Sequence, residues 1–149
     1  MTFSTLQVYF ALFGAAFLSA TILPAQSELL FAYLLRTGEH DWGLLLATAT
    51  IGNVLGSVVN WGLGLAIERF RGRRWFPVGD KALERAERWY GGWGKWSLLL
   101  SWVPFIGDAL TVIAGVLRTP FLTFLILVLI AKGGRYCLIA LFVLGMLPD

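Results

Sequence analysis

Charge is what this chain has least of. Only 14% of its residues are Asp, Glu, Lys or Arg, against 58% hydrophobic, and the mean hydropathy is +0.74. A soluble domain carries about 25% charge. At 149 residues a single compact domain is expected, and its core cannot absorb this much apolar surface, so most of that surface must face lipid. Cysteine and histidine are almost absent too. The lone cysteine, Cys137, lies in an apolar run, which excludes an intramolecular disulfide and predicts an inert thiol. The lone histidine, His40, sits between Glu39 and Asp41 with no neighbouring second ligand, so a solvated loop is expected there and a Ser-His-Asp hydrolase or a zinc site is disfavoured. No metal or cofactor motif stands in the chain. Gly62-Leu63-Gly64 lacks the strand and the further glycine of a nucleotide loop, and nothing points to nucleic acid. The N-terminal stretch has no basic residue before Arg36, so it lacks the positive region of a secretory signal and is expected to be retained.

The charge that is present is concentrated. From Glu68 to Lys95 stand Arg69, Arg71, Arg73, Arg74, Lys81, Arg85, Arg88 and Lys95 against Glu68, Asp80, Glu84 and Glu87. The positive-inside rule makes this segment cytoplasmic and puts the acidic loop from Arg36 to Asp41 outside. A short amphipathic helix over 81–90, capped by Asp80, is expected on the membrane surface, with Trp75, Trp89, Trp93 and Trp96 as interfacial anchors beside anionic head groups.

Four apolar stretches follow one another. Trp42–Ile67 and Phe121–Leu147 are straightforward spans of the roughly 20 or more residues that a bilayer needs. The other two are interrupted. Leu6–Leu35 breaks at Pro24, followed by Gln26-Ser27-Glu28; Trp96–Leu117 breaks at Pro104 and again at Gly107-Asp108. Pro24-x-x-x-Glu28 and Pro104-x-x-x-Asp108 repeat the same pattern 80 positions apart, each followed by an arginine, Arg36 or Arg118, and then by a span with small residues. The sequence therefore predicts an all-α integral membrane protein built as one domain over 1–149: repeat 1 over 6–67, a basic interfacial linker over 68–95, and repeat 2 over 96–147. Each repeat would be a re-entrant helical hairpin plus a transmembrane helix, and because one span lies between the hairpins, the two halves would be inverted. The plainer alternative has four ordinary helices, but the piece from Ser27 to Leu35 is too short to cross.

Glu28 and Asp108 carry the strongest functional signal. An acid at membrane depth costs at least about 2.5 kcal/mol and is kept mainly where it pairs or works. Either is a candidate proton carrier or counter-cation ligand; the structural alternative is that each caps a half-helix. Arg118, Lys132 and Arg135 are the candidate cations. Arg135, deep in the last apolar segment, needs a carboxylate, backbone carbonyls or an anionic ligand; the structural alternative is that Lys132 snorkels and Arg135 pairs with Asp108 or Glu28. Gly52, Gly56 and Gly64 form a stripe for close helix packing, while Asn53 and Asn60 can join a polar pathway or bond across helices.

Leu23-Pro24 through Ser27-Glu28, Gly52-Asn53-x-x-Gly56 to Asn60-Trp61, Ser101-Trp102-Val103-Pro104-Phe105-Ile106-Gly107-Asp108, Ala114-Gly115 and Arg118 together resemble the bacterial DedA superfamily, in its short YqaA-like branch. The resemblance runs over nearly the whole chain, and Trp-x-Pro-x-x-Gly-Asp is its most specific part. It implies an inner-membrane protein with two oppositely inserted hairpins, related to VTT-domain lipid scramblases, with some members linked to undecaprenyl phosphate recycling. The chain departs from the better-studied pattern at Ser101 and Gly107, where arginines flank the second proline, and at Asn53, where many relatives have an acid.

These observations lead to a non-enzymatic transporter that moves an anionic amphipathic lipid between leaflets. Its partners would be membrane lipids, including undecaprenyl phosphate, and protons or a monovalent cation; a homodimer would cover part of its apolar surface. Glu28, Asp108, Arg118, Arg135 and Asn53 would line the path. A proton-coupled small-solute exchanger needs the acids but not the arginines. An intramembrane acid-base enzyme would need the two carboxylates close enough to share a proton. A non-transporting adapter would use the basic linker.

Overall fold

The computed structural model describes residues 3–20, 26–70, 88, 90–103 and 106–145. Its elements are α1 (Phe3–Ser19), α2 (Gln26–Thr37), α3 (Trp42–Phe70), a 3₁₀ helix (Gly94–Trp102), α4 (Ile106–Val116) and α5 (Phe121–Gly145). The all-α class expected from the sequence is what the described residues form. Pro24, Pro104 and most of the predicted surface helix over 81–90 lie outside them.

Among the described residues two helices are long and apolar enough to cross a bilayer, over Trp42–Ile67 and Phe121–Gly145, where the hydropathy placed them. At 1.5 Å per residue they run about 37 to 39 Å, against a hydrocarbon core of about 30 Å. By the same measure α2 and α4 are only about 16 to 18 Å long, too short to cross. Ordinary local chemistry sets the ends. Thr37 Oγ1 donates to Leu34 O at 2.8 Å, and Gly38, at φ 64°, closes α2 with its N–H on Leu35 O. Asp41 Oδ1 accepts from Leu44 N at 2.8 Å and caps α3.

One expected break is not observed. Gly107 and Asp108 lie in the first turn of α4, and Gly107 N donates to Val103 O at 2.8 Å across the preceding residues. A glycine costs little in a first turn, and here it is required: a Cβ on Gly107 would stand 2.8 Å from Ser101 Cα. The 3₁₀ helix ends at Trp102 with Val103 extended, and the glycine lets α4 start close against the backbone of Ser101.

The helices assemble around α3 and α5, which run antiparallel. Trp61 packs on Phe121 and Phe124, Asn53 meets Lys132 and Tyr136, and Leu45 shares a core with Ala140. Beside α3 runs α1 in the same direction, Gly52 against Phe13 and Ala16 and Gly56 against Phe17 and Ala20. Where α1 ends, α4 takes over the same helix, with Gly64 and Gly115 in backbone contact. The chain turns back from α1 into α2, so that Ser27 returns to Ser19 and His40 to Tyr9, ring centroids 5.7 Å apart. His40 is therefore packed on an aromatic ring, where the sequence suggested a solvated loop. α2 lies along α5 through Phe31 and Tyr136, and the 3₁₀ helix packs against α4 and α5.

Two apolar clusters result. One joins Leu12, Phe31, Leu45 and Tyr136; the other joins Val54, Leu98, Ala114, Phe124 and Val128. The opposite faces are also apolar: Ile51, Leu55, Val59 and Leu63 on α3 and Leu122, Ile126, Ile130 and Leu141 on α5 are all exposed. Asn53, Asn60, Ser27, Thr111 and Lys132 are inside. Apolar outside and polar inside is the pattern of a protein whose solvent is lipid.

The turn after α4 holds a strained residue. Arg118 has φ 53°, and the bonds from Arg118 N to Gly115 O and from Thr119 N to Ala114 O form the Schellman arrangement in which glycine normally takes this place. The left-handed conformation costs a residue with a Cβ about 1 kcal/mol or more. Arg118→Gly should raise stability by about 0.5–1 kcal/mol, seen as a higher unfolding temperature in detergent; a lower one would mean that the arginine side chain outweighs the strain.

Candidate functional site

Between the two apolar clusters lies a layer of polar side chains, within about one helical turn of the midpoints of α3 and α5. It begins where α1 and α2 meet. Ser27 Oγ donates to Ser19 Oγ at 2.9 Å and lies 2.9 Å from Tyr136 OH. Asn53 Nδ2 donates to Tyr136 OH at 3.1 Å and is 3.3 Å from Ser19 Oγ. On its other side, Asn53 Oδ1 accepts from Lys132 Nζ, which also donates to Asp108 Oδ1 at 3.0 Å. One continuous chain of polar atoms thus links the facing ends of α1 and α2 to the start of α4. A parallel link runs through Asn60, whose Nδ2 donates to Ala20 O at 2.7 Å and to Thr111 Oγ1 at 3.3 Å, while Thr111 Oγ1 donates to Asp108 O at 2.7 Å.

The layer holds two ion pairs. Lys132 is joined to Asp108, and Arg135 is joined to Glu28. Both cations come from α5, and both acids come from the first turns of short helices, where the helix dipole favours an anion. Lys132, Arg135 and Tyr136 lie three and four positions apart, so one face of α5 carries them all. The structure therefore brings together four of the residues that the sequence singled out for the path: Glu28, Asp108, Arg135 and Asn53.

It does not bring Arg118. That residue is exposed in the turn after α4, about 20 Å along α5 from Arg135 at helical rise. Nor does Lys132 snorkel: it is 3% exposed and bonded at depth. The hydroxyls of Ser19, Ser27, Thr111 and Tyr136 escaped the sequence reading because a serine, threonine or tyrosine in an apolar run is unremarkable alone. Their one sequence signal is adjacency, since Ser27 precedes Glu28 and Tyr136 follows Arg135. Each carboxylate is paired with its own cation.

The second ion pair is reachable from the side. Glu28, Trp102, Arg135, Leu138 and Ile139 line a surface depression of about 330 Å³. It adjoins another of about 340 Å³ that shares Trp102, Arg135 and Leu138 and extends to Gly134 and Cys137. From there a groove of about 400 Å³ continues between α3 and α5 past Gly133, Thr50 and Ala47. Arg135 is 15% and Glu28 23% exposed. The charged pair is thus partly exposed at one end of a run of adjoining surface depressions lined mainly by apolar side chains. Among the described residues there is no cluster of His, Cys, Asp and Glu fit to hold a metal.

The VTT domain matches residues 1–144 of this chain. The chain is 38% identical over 134 residues to the inner membrane protein YqaA of Escherichia coli strain K12, covering 88% of this chain and 87% of that one. It is equally similar to inner membrane protein YqaA of Shigella flexneri. A protein of Haemophilus influenzae, named only as uncharacterized, is 38% identical over 139 residues, 84% of this chain and 80% of that one. No solved structure matches. With the domain spanning nearly the whole chain, and relatives this similar along most of their own length, the protein belongs to the VTT-domain, or DedA, family in its YqaA-like branch and is a bacterial inner-membrane protein.

Proposed function

We propose that this protein moves an anionic amphipathic lipid, a polyprenyl phosphate or a phospholipid, between the leaflets. Two oppositely inserted re-entrant hairpins meet at the bilayer midplane and the basic linker stays on the cytoplasmic side. The observation that carries this is the partial exposure of the Glu28–Arg135 pair at mid-span, at one end of that run of mainly apolar depressions. A water-soluble substrate would call for a path from one aqueous face to the other. A site that opens sideways into lipid, with a charged end and an apolar channel, suits a molecule with a head group and a tail. Arginine is the side chain best matched to a phosphate, and Glu28 must release Arg135 for a phosphate to take its place.

The hairpin topology has its own support. α1 and α2 fold back on each other, α2 and α4 are too short to cross, and the packing is reciprocal: α1 and α4 flank α3, while the 3₁₀ helix and α2 flank α5. That is the packing pattern of two equivalent units that exchange their second arms. Irregular backbone at membrane depth is tolerated where other helices cover it, and α3 and α5 supply that cover. In a Cys137→Ser background, cysteines at Gln7 and Glu39 should label from one side of the membrane, and cysteines at Lys95 and Arg118 from the other. Labelling of the first two from opposite sides would overturn the hairpin topology.

The direct test is leaflet-to-leaflet movement of fluorescent phospholipid and of polyprenyl phosphate in liposomes containing the protein. Movement should fall at least about tenfold for Glu28→Gln and Arg135→Ala, an effect of more than about 1.4 kcal/mol, and should persist for Arg118→Ala. No movement above protein-free liposomes under any pH gradient would instead favour a small-solute exchanger or an adapter.

A further inference from the structure

The two ion pairs differ in one respect. In Glu28–Arg135 both side chains are partly exposed, whereas in the other pair Lys132 is only 4% exposed, against 25% for Asp108. Lys132 Nζ sits between two oxygens from different helices, Asn53 Oδ1 of α3 and Asp108 Oδ1 of α4. A carboxylate oxygen and an amide oxygen, both turned inward at the middle of a membrane protein, are the ligands that a small monovalent cation would take. Here an ammonium group delivered by α5 fills that position.

We propose that Lys132 is a built-in counter-cation: its ammonium occupies the place between Asn53 and Asp108 that a coupling ion would otherwise fill, so the protein works without sodium or potassium co-transport. The charge balance of the layer supports this. Glu28 and Arg135 cancel each other, and Lys132 cancels Asp108. The remaining side chains at this level, Asn53, Asn60, Ser19, Ser27, Thr111 and Tyr136, are neutral. No negative charge is left over to attract a free cation. Asn53 completes the arrangement, because an amide can accept from the ammonium while donating to Tyr136 and Ser19, which a second carboxylate could not do. Two acids at these positions would leave one charge uncompensated and call for an ion from outside.

Removing the amine should turn the site into a cation receptor. Asp108 stays partly exposed, so an added ion has access, and the space left by the side chain can admit a small one. The experiment measures thermal unfolding of the purified full chain by intrinsic tryptophan fluorescence, in methylammonium chloride and, at equal ionic strength, tetramethylammonium chloride. Both ions are cationic, but only methylammonium has N–H donors. Wild type should unfold at the same temperature in both. Lys132→Ala should unfold roughly 10 °C lower in tetramethylammonium, with at least about 4 °C regained in methylammonium at saturating concentration. The double variant Lys132→Ala/Asp108→Asn, which has no charge to satisfy, should recover much of the loss and show no preference between the salts.

A Lys132→Ala protein as stable as wild type, or one indifferent to methylammonium, would overturn the proposal, as would a double variant that still prefers it. Should the single variant be recovered only unfolded, the double variant decides: folded, it identifies the unpaired carboxylate as the lesion, and unfolded, it overturns the proposal. The consequence for transport rests on the lipid-transport function proposed above, but the stability measurement does not, so the two can fail separately. If both hold, lipid movement by wild type should be the same in sodium, potassium and choline buffers, and movement by Lys132→Ala should require methylammonium.

Discussion

Gly64→Leu is expected to yield no stable folded protein, whereas Gly62→Leu, two positions away on the same helix, is expected to behave as wild type. Any Cβ at Gly64 runs into Val112 O and stands 2.8 Å from both Gly115 Cα and Val116 N. These are backbone atoms, which cannot move aside as a side-chain tip can. The reciprocal clash exists at Gly115, where a Cβ would meet Trp61 O and stand 2.9 Å from Gly64 Cα. α3 and α4 therefore touch backbone to backbone, and in lipid such close approach supplies much of the association energy, because apolar burial supplies none. Overpacking a core usually costs about 1–3 kcal/mol. With no side chain free to rearrange, a leucine would push α4 off α3 altogether, and more than about 3 kcal/mol is expected here. A Cβ at Gly62 meets nothing within 4 Å, and a leucine there faces lipid. Monodispersity and unfolding temperature in detergent would check both variants. A well-folded Gly64→Leu would mean that α4 does not dock where it is found. The smaller Gly52→Ala, whose Cβ would lie 2.6 Å from Phe13 O and 3.1 Å from Ala16 Cβ, should be destabilised to a lesser degree, since α1 can shift slightly as a unit.

Arg135→Ala carries the second large effect, and it separates structure from transport. Breaking a buried ion pair by removing one member costs about 3–5 kcal/mol, because the other charge is left behind. Glu28 retains partial exposure and can take up a proton, so the lower end of that range is expected. The double variant Glu28→Gln/Arg135→Ala should be more stable than the sum of the single changes predicts, with a coupling energy of about 1–3 kcal/mol. Additive losses would show that the pair does not form in the membrane. If Arg135 holds a phosphate head group, the double variant should be stable and yet transport-dead, since restoring charge balance does not restore the anion site. Arg135→Lys keeps the charge but loses the planar fork, and should retain folding with weakened lipid movement. Arg118→Ala, on the exposed turn, should leave lipid movement unaltered.

These predictions sit on features of very unequal legibility. The two spans can be read from hydropathy alone, since about 25 apolar residues in a row have few other uses. The importance of Glu28 and Asp108 can be read as well, because an acid at membrane depth is costly wherever it sits. So can the small-residue stripe on α3, a repeat that is visible at helical spacing. Arg118 departs from its expected place for a physical reason. The Schellman turn that ends α4 places it outside the layer, exposed as Arg36 is at the end of α2. Lys132 departs in the opposite direction. Snorkelling is what a lysine does when nothing pairs with it, and its partners are remote in the chain: Asn53 is 79 positions away and Asp108 is 24.

By itself, the sequence determined that this protein lives in lipid, where its two long spans begin, and that Glu28 and Asp108 stand in otherwise apolar stretches. Hydrophobicity, helix length and the cost of an isolated charge are local quantities, written residue by residue. Only the tertiary structure decided which acid meets which base, that Asn53 and Tyr136 join the two halves, and that Arg135 keeps some exposure while Lys132 is buried. Those outcomes depend on how short helices dock against α3 and α5. That docking is set by backbone approach at a few glycines and by hydrogen bonds between groups far apart in the chain, which no local pattern encodes.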